Sequence, residues 1–140
     1  GAELADAEWL VFLDADDELD PNYCGNGLAG MGDIRYPMVQ YVTSGIRSDP
    51  RHIRRVSLME GNFIVIGALV RHRVFMEAGG FHDLPMYEDW DLWIRCQRIG
   101  ASIYAANRSI YIAHVNPEGR NTGVGLDTMA IKRKILDQYK

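Results

Sequence analysis

The sequence predicts an α/β domain, in which helices cover a sheet and the ligand residues gather at strand ends. Three observations lead there. Trp9–Leu13 and Asn62–Val70 are short, unbroken apolar runs of the kind that form strands buried on both faces, as in a parallel sheet. Apolar residues recur at helical spacing over 88–99 and again over 128–139. Finally, acids crowd the carboxyl end of the first run, where open α/β sheets bind their ligands.

The totals fit one domain. The chain has 140 residues, 47% of them apolar and 24% charged, which is the composition of a soluble globular protein. A net charge of −4 gives no reason to expect nucleic acid as a partner. No apolar run approaches the roughly 20 residues of a transmembrane segment, and no signal peptide is visible. Cys24 and Cys96 lack a C-x-x-C spacing, so a reducing, cytoplasmic setting is expected and the Asn107-Arg108-Ser109 acceptor pattern reads as coincidence.

The first run, W-L-V-F-L-D-A-D-D-E-L-D-P over Trp9–Pro21, organises the rest. If extended geometry persists, Asp14 and Asp16 share one face at roughly 6 to 7 Å, and Asp17 points elsewhere. Two such carboxylates resist dehydration and repel each other. A hard divalent cation removes both objections, and oxygen ligands favour magnesium, manganese or calcium. The plainer alternative is a solvated acidic turn, with Asp20 capping a helix that Pro21 opens.

Beyond it, Pro21–Gly32 holds a short helix interrupted by glycines. Ile34–Thr43 has strand composition, and Pro37 argues for an edge position. Arg47–Arg55 sets four arginines against Asp49, either as a diphosphate or acceptor contact or as a mobile solvated loop. Asn62–Val70 reads as a second buried strand, in which Gly67 marks a close approach by another backbone or a ligand. Arg71–Ala78 is a short helix stopped by Gly79 and Gly80.

The helix beginning at Glu88 places Leu92, Trp93, Cys96 and Ile99 on one face. Asp89 lies on that stripe four residues before Trp93 and should face inward, with Glu88 more to the side. A desolvated carboxylate there has a raised pKa and accepts protons more readily; capping by an acid in the first turn is the ordinary alternative. Ser102–Ala105 and Ser109–His114 read as two short strands around an Asn107-Arg108 turn. His114 ends the second, and a metal role for it requires convergence on Asp16. Val115–Gly125 resembles a flexible loop or lid, and Thr128–Tyr139 an amphipathic helix.

Three ordered segments together resemble the inverting GT-A fold glycosyltransferases of glycosyltransferase family 2. They are W-L-V-F-L-D-A-D-D-E-L-D-P, then G-N-F-I-V-I-G-A-L-V-R-H-R-V-F-M-E-A-G-G-F, then Y-E-D-W-D-L-W-I-R. The resemblance implies a partial GT-A, Rossmann-like mixed sheet flanked by helices, truncated at its N-terminus. By position, Asp14 resembles the acid on the nucleotide's ribose or base side and Asp16 the metal ligand on the diphosphate. Gly67 falls in the nucleotide-sugar-binding segment. Asp89 matches the base that deprotonates the acceptor hydroxyl, Glu88 is a neighbour that orients acceptor or metal, and His114 resembles the histidine completing the metal site. The implied cofactor is Mn2+ or Mg2+, the donor a UDP-sugar, and the acceptor a glycan or other hydroxyl compound.

Because the family's usual first half has no counterpart here, weak or absent transfer is expected from this polypeptide alone. A second copy or a partner chain would then supply the missing half. The other readings are a non-catalytic metal-dependent sugar-nucleotide or glycan binding module, and an assembly partner of a longer transferase. A haloacid-dehalogenase phosphohydrolase would need Gly-Thr where Asp17 and Glu18 stand, and a calcium loop would need glycine at Leu19. The transferase reading requires Asp16 and Asp89 to face each other across one cleft.

Overall fold

The computed structural model describes residues 1–54, 57–116 and 125–140. A 3-10 turn (Ala2–Leu4) leads to strand β1 (Trp9–Leu10), then an irregular crossing to β2 (Glu18–Leu19) and helix α1 (Tyr23–Leu28). There follow β3 (Ile34–Thr43), β4 (Ile46–Arg47), β5 (Leu69–Arg71), α2 (His72–Glu77), α3 (Glu88–Arg98), β6 (Ile103–His114) and α4 (Thr128–Asp137). The strands form one mixed sheet in the order β1-β5-β3-β6-β2, with β4 also on β3. Only β3 and β6 run parallel among the described pairs. The α/β class predicted from sequence holds, and the sheet is mixed, as the family resemblance implied.

The organising run departs from its expected form. Of its apolar stretch Trp9–Leu13 only Trp9 and Leu10 are strand, paired antiparallel with Arg71 and Val70, and Leu13 is 48% exposed. Its remaining apolar residues do not lie between two strands. Phe12 packs instead against Phe75 and Phe81, with ring centroids at 5.1 and 4.8 Å. The cause is topological, because β1 and β2 occupy opposite margins of the sheet. Four strand spacings are roughly 19 Å, and the eight residue steps from Leu10 to Glu18 reach at most about 28 Å. The chain therefore crosses with about a third of its reach to spare, which leaves room for a turn on the way.

β3 spans the predicted residues but is central, lying between β5 and β6. Pro37 is tolerated there because the ladder with β6 is irregular at that point: Tyr36 pairs with Ala105, and Met38 with Ile110. The extra β6 residues lie in that irregularity, where Arg108 adopts φ 63°. Hence β6 is one strand interrupted at Asn107-Arg108, where two strands were expected.

The second apolar run is also mostly irregular, with strand confined to Leu69–Arg71. The Ile64 carbonyl, and that of Leu58 just before the run, are met by side chains instead. On α3, Trp90 Nε1 donates to the Leu58 carbonyl at 2.8 Å and Trp93 Nε1 to the Ile64 carbonyl at 3.0 Å. Both tryptophans are buried in the same core as Ile34, Ile64, Val70 and Leu92. Burial of each ring contributes about 4 kcal/mol, so the anchors are strong ones.

The helices follow their signals closely. α2 ends where Gly79 and Gly80 take φ of 86° and 68°, conformations that side chains resist. α4 is capped by Asp127, whose Oδ1 accepts the Ala130 N–H at 2.9 Å, and it buries Ile135. α3 buries Leu92, Trp93 and Cys96, whereas Ile99 falls beyond its last turn and is 42% exposed. Asp91 of α3 is also buried, held by Arg95 Nε at 2.9 Å and by the Tyr139 hydroxyl at 2.6 Å. That network ties the chain's last residues to the helix. The loop anticipated over 115–125 falls, at 117–124, outside the described residues, as does Arg55.

Candidate functional site

The acidic crossing does not stay extended through Asp16. The Asp17 N–H donates to the Asp14 carbonyl at 3.1 Å, closing a turn over Ala15 and Asp16. That turn breaks the alternation on which the Asp14 and Asp16 pairing was founded. Asp14 and Asp17 line one cleft, while Asp16 is exposed and is not among the lining residues. Asp17 is held from two sides. The Tyr111 hydroxyl donates to its Oδ2 at 2.6 Å and the His114 N–H to its Oδ1 at 2.8 Å. Burial, and then the bond to Asp17, push the Tyr111 phenol well above its ordinary pKa, so it stays a donor.

The cleft has a volume of about 320 Å³. Tyr41 of β3 and Tyr111 and Ala113 of β6 contribute to it from the sheet, residues 62–66 from the irregular segment, and Met86–Asp89 from the start of α3. The tryptophan anchors explain why the irregular segment lies there. Because Trp93 sits one helical turn after Asp89, the helix that carries this acid also holds the wall beside it.

Asp89 is a strongly perturbed acid in the cleft. Its Oδ1 accepts the Trp90 N–H at 2.7 Å and its Oδ2 accepts Asn62 Nδ2 at 3.0 Å. Removal from water raises its pKa to about 6; the two hydrogen bonds oppose the rise, and the charges of Glu88 and Asp14 add to it. A carboxylate so tuned can accept a proton near neutral pH. Glu88 lines the same cleft. The expectation that Asp16 faces Asp89 gives way to a different grouping: Asp14 and Asp17 with Glu88 and Asp89.

His114 stands at the end of β6, as expected, with Nε2 2.8 Å from Glu18 Oε1. Glu18 is opposite Ile112, two residues back, which puts it diagonal to His114 on the same face. Arg47 Nη2 lies 3.8 Å from the other Glu18 oxygen. No group of three metal-ligating side chains converges among the described residues. The bond from His114 to Asp17 nevertheless brings His114 within one residue of Asp16. That bond is made by the backbone N–H, and the His114 ring is turned to Glu18 instead.

Gly67 is close-packed, but by a side chain. A Cβ there would lie 2.1 Å from the Tyr111 ring, and its carbonyl accepts the buried Tyr23 hydroxyl. The approach anticipated at Gly67 is thus made by Tyr111, and Gly67 is not among the cleft's lining residues. Sequence reasoning passed over Asp17, Tyr111 and Asn62. Asp17 could have been found as the third acid of its run; Asn62 and Tyr111 carried no local signal.

The family model described as Glycosyl transferase family 2 matches residues 1–139. The chain belongs to glycosyl transferase family 2. Three solved structures of Staphylococcus aureus TarS (residues 1–349) share the GT-A fold of this family 2 chain. The TarS complex with UDP-GlcNAc superposes with a TM-score of 0.67 at 16% identity, covering 99% of this chain and 49% of that one. The UDP complex gives 0.59 at 18% identity, covering 99% and 47%. TarS alone gives 0.59 at 16% identity. This family 2 chain therefore spans about half the length of the structures it matches. No curated protein matches it in sequence.

Proposed function

We propose that this domain works in an inverting glycosyl transfer, from a nucleotide-sugar donor, a UDP-sugar, to the hydroxyl of a glycan or other acceptor. The observation that carries the reading is Asp89: a carboxylate with a pKa near 6, whose cleft is shared by Asp14 and Asp17, the acids that stand there in place of the expected Asp16. In this reading Asp89 takes the proton as the acceptor oxygen attacks the anomeric carbon, and Glu88 orients the acceptor. One displacement breaks the bond to the diphosphate and inverts the configuration. Asp14 meets the ribose or base side of the nucleotide, and Asp17, fixed by Tyr111 and His114, braces the turn. Asp16 and His114 would hold Mn2+ or Mg2+, which when bound offsets charge on the departing diphosphate. Gly67 acts through Tyr111, as packing behind that site.

A second reading is favoured by the chain's span of about half the TarS structures. In it, the domain is a binding module or an assembly partner whose nucleotide pocket is completed by a second copy or another chain. No helix among the described residues is long and apolar enough to cross a membrane, and the proposed setting is cytoplasmic. Calorimetry with UDP and manganese, followed by transfer assays with labelled UDP-sugars, tests the pair of readings. Turnover abolished in Asp89→Asn with UDP affinity retained supports the transferase. Binding without turnover under any acceptor supports the module.

A further inference from the structure

A general base must present a particular oxygen to its substrate, and two acids stand close enough to disturb Asp89. Glu88 precedes it on α3, and Asp14 approaches from the acidic turn; both repel its charged form. What opposes them is the Trp90 N–H on Asp89 Oδ1 at 2.7 Å and, as the side-chain partner, Asn62, whose Nδ2 donates to Asp89 Oδ2 at 3.0 Å. The amide cannot turn over without loss, because Asn62 Oδ1 accepts the Ile64 N–H at 3.1 Å. A flipped amide would set an oxygen against a carboxylate and an NH2 against an N–H. Ile64 is itself held, with its carbonyl accepting the Trp93 indole at 3.0 Å. The bonds close a circuit from Trp93 through Ile64 and Asn62 back to Asp89, one turn earlier on the same helix.

We propose that Asn62 is a positioning residue for Asp89. Its amide, oriented by the Ile64 backbone, fixes one carboxylate oxygen so that the remaining acceptor sites face the cleft. Its part in transfer rests on the proposed role of Asp89 as base, whereas the hold on the carboxylate does not.

Two measurements separate these claims. In the intact protein, the Asn62 side-chain NH2 resonances are followed by NMR across about pH 4 to 8, the range that spans an ionisation near 6. They should titrate with Asp89 and lose that response in Asp89→Asn. Resonances that stay flat overturn the proposal, whether or not the chain turns over substrate. The second measurement compares Asn62→Asp, which keeps an acceptor for Ile64 but removes the donor, with Asn62→Ala, which removes both. The expected result is a fall in kcat of about tenfold or more in both variants, with acceptor KM and UDP affinity within twofold. Wild-type kcat in Asn62→Asp overturns the positioning role. So does a loss of kcat that follows melting temperature in both variants, since it would make Asn62 a fold anchor only. Absence of transfer by the wild type counts against the proposed function alone, because the amide titration still decides the hold on Asp89.

Discussion

Gly67→Ala places a methyl group where the structure has no room. Its carbon would stand 2.1 and 2.2 Å from two atoms of the Tyr111 ring, against an ordinary carbon contact of about 3.5 to 4.0 Å. Something must retreat by roughly 1.5 Å. The ring is fully buried, and its hydroxyl is bonded to Asp17 at 2.6 Å, so it has little freedom. Overpacking of this kind costs about 1 to 3 kcal/mol, and loss of a hydrogen bond to a charged acceptor about 1.5 to 3 more. We expect a destabilisation of about 3 kcal/mol, which for a domain of this size lowers Tm by roughly 10 °C. Thermal melts followed by circular dichroism measure it, with urea midpoints as the check. The same substitution in a Tyr111→Leu background should cost less than half as much, because the clash and the cost share one ring. A fall in Tm below about 2 °C in the otherwise native chain would refute the reasoning.

Other outcomes follow from the same geometry. Asp89 has its folded pKa raised to about 6 from an ordinary 3.8, so the folded state holds the proton more tightly. Its contribution to stability is present below about pH 4 and lost as pH rises through about 6. Between pH 4 and pH 7 the native chain should therefore lose about 1 to 2 kcal/mol relative to Asp89→Asn, read by urea unfolding of both across that range. Tyr111→Phe frees Asp17 on one side, and calorimetry should show UDP affinity reduced by about tenfold, with a loss of stability of about 1.5 to 3 kcal/mol. Trp93→Phe leaves the Ile64 carbonyl without its donor in a buried setting and should cost about 2 kcal/mol by urea unfolding; an unchanged midpoint would remove that indole as an anchor.

Much of the helical structure was legible because its signals are local. Gly79 and Gly80 after α2, the acids that open α3 and the stripe through Trp93 all act within a turn or two. Strands were harder to read, because an apolar run says that residues are buried and not what buries them. Asn62–Ala68 is held by Trp93, which donates to its Ile64 carbonyl, while Trp90 anchors Leu58 just before it; Val11–Leu13 belongs to a crossing whose Phe12 meets other aromatic rings. Pro37 misled because the irregularity that accommodates it is set by β6, about 70 residues later. At the site, the raised pKa of Asp89 was inferable from its place on the apolar stripe. Its companions were not, since the turn at Asp17 depends on Tyr111 and His114, distant in sequence.

The crossing from β1 to β2 has one further consequence. Because the same eight steps clasp both borders of the sheet, the acidic turn behaves as a short strap between two buckles. Fraying at either border slackens the strap and lets Asp14 and Asp17 drift together. Amide exchange at Leu10 and at Leu19, far apart in the sheet, should rise in step, and with it the cleft should lose its negative wall.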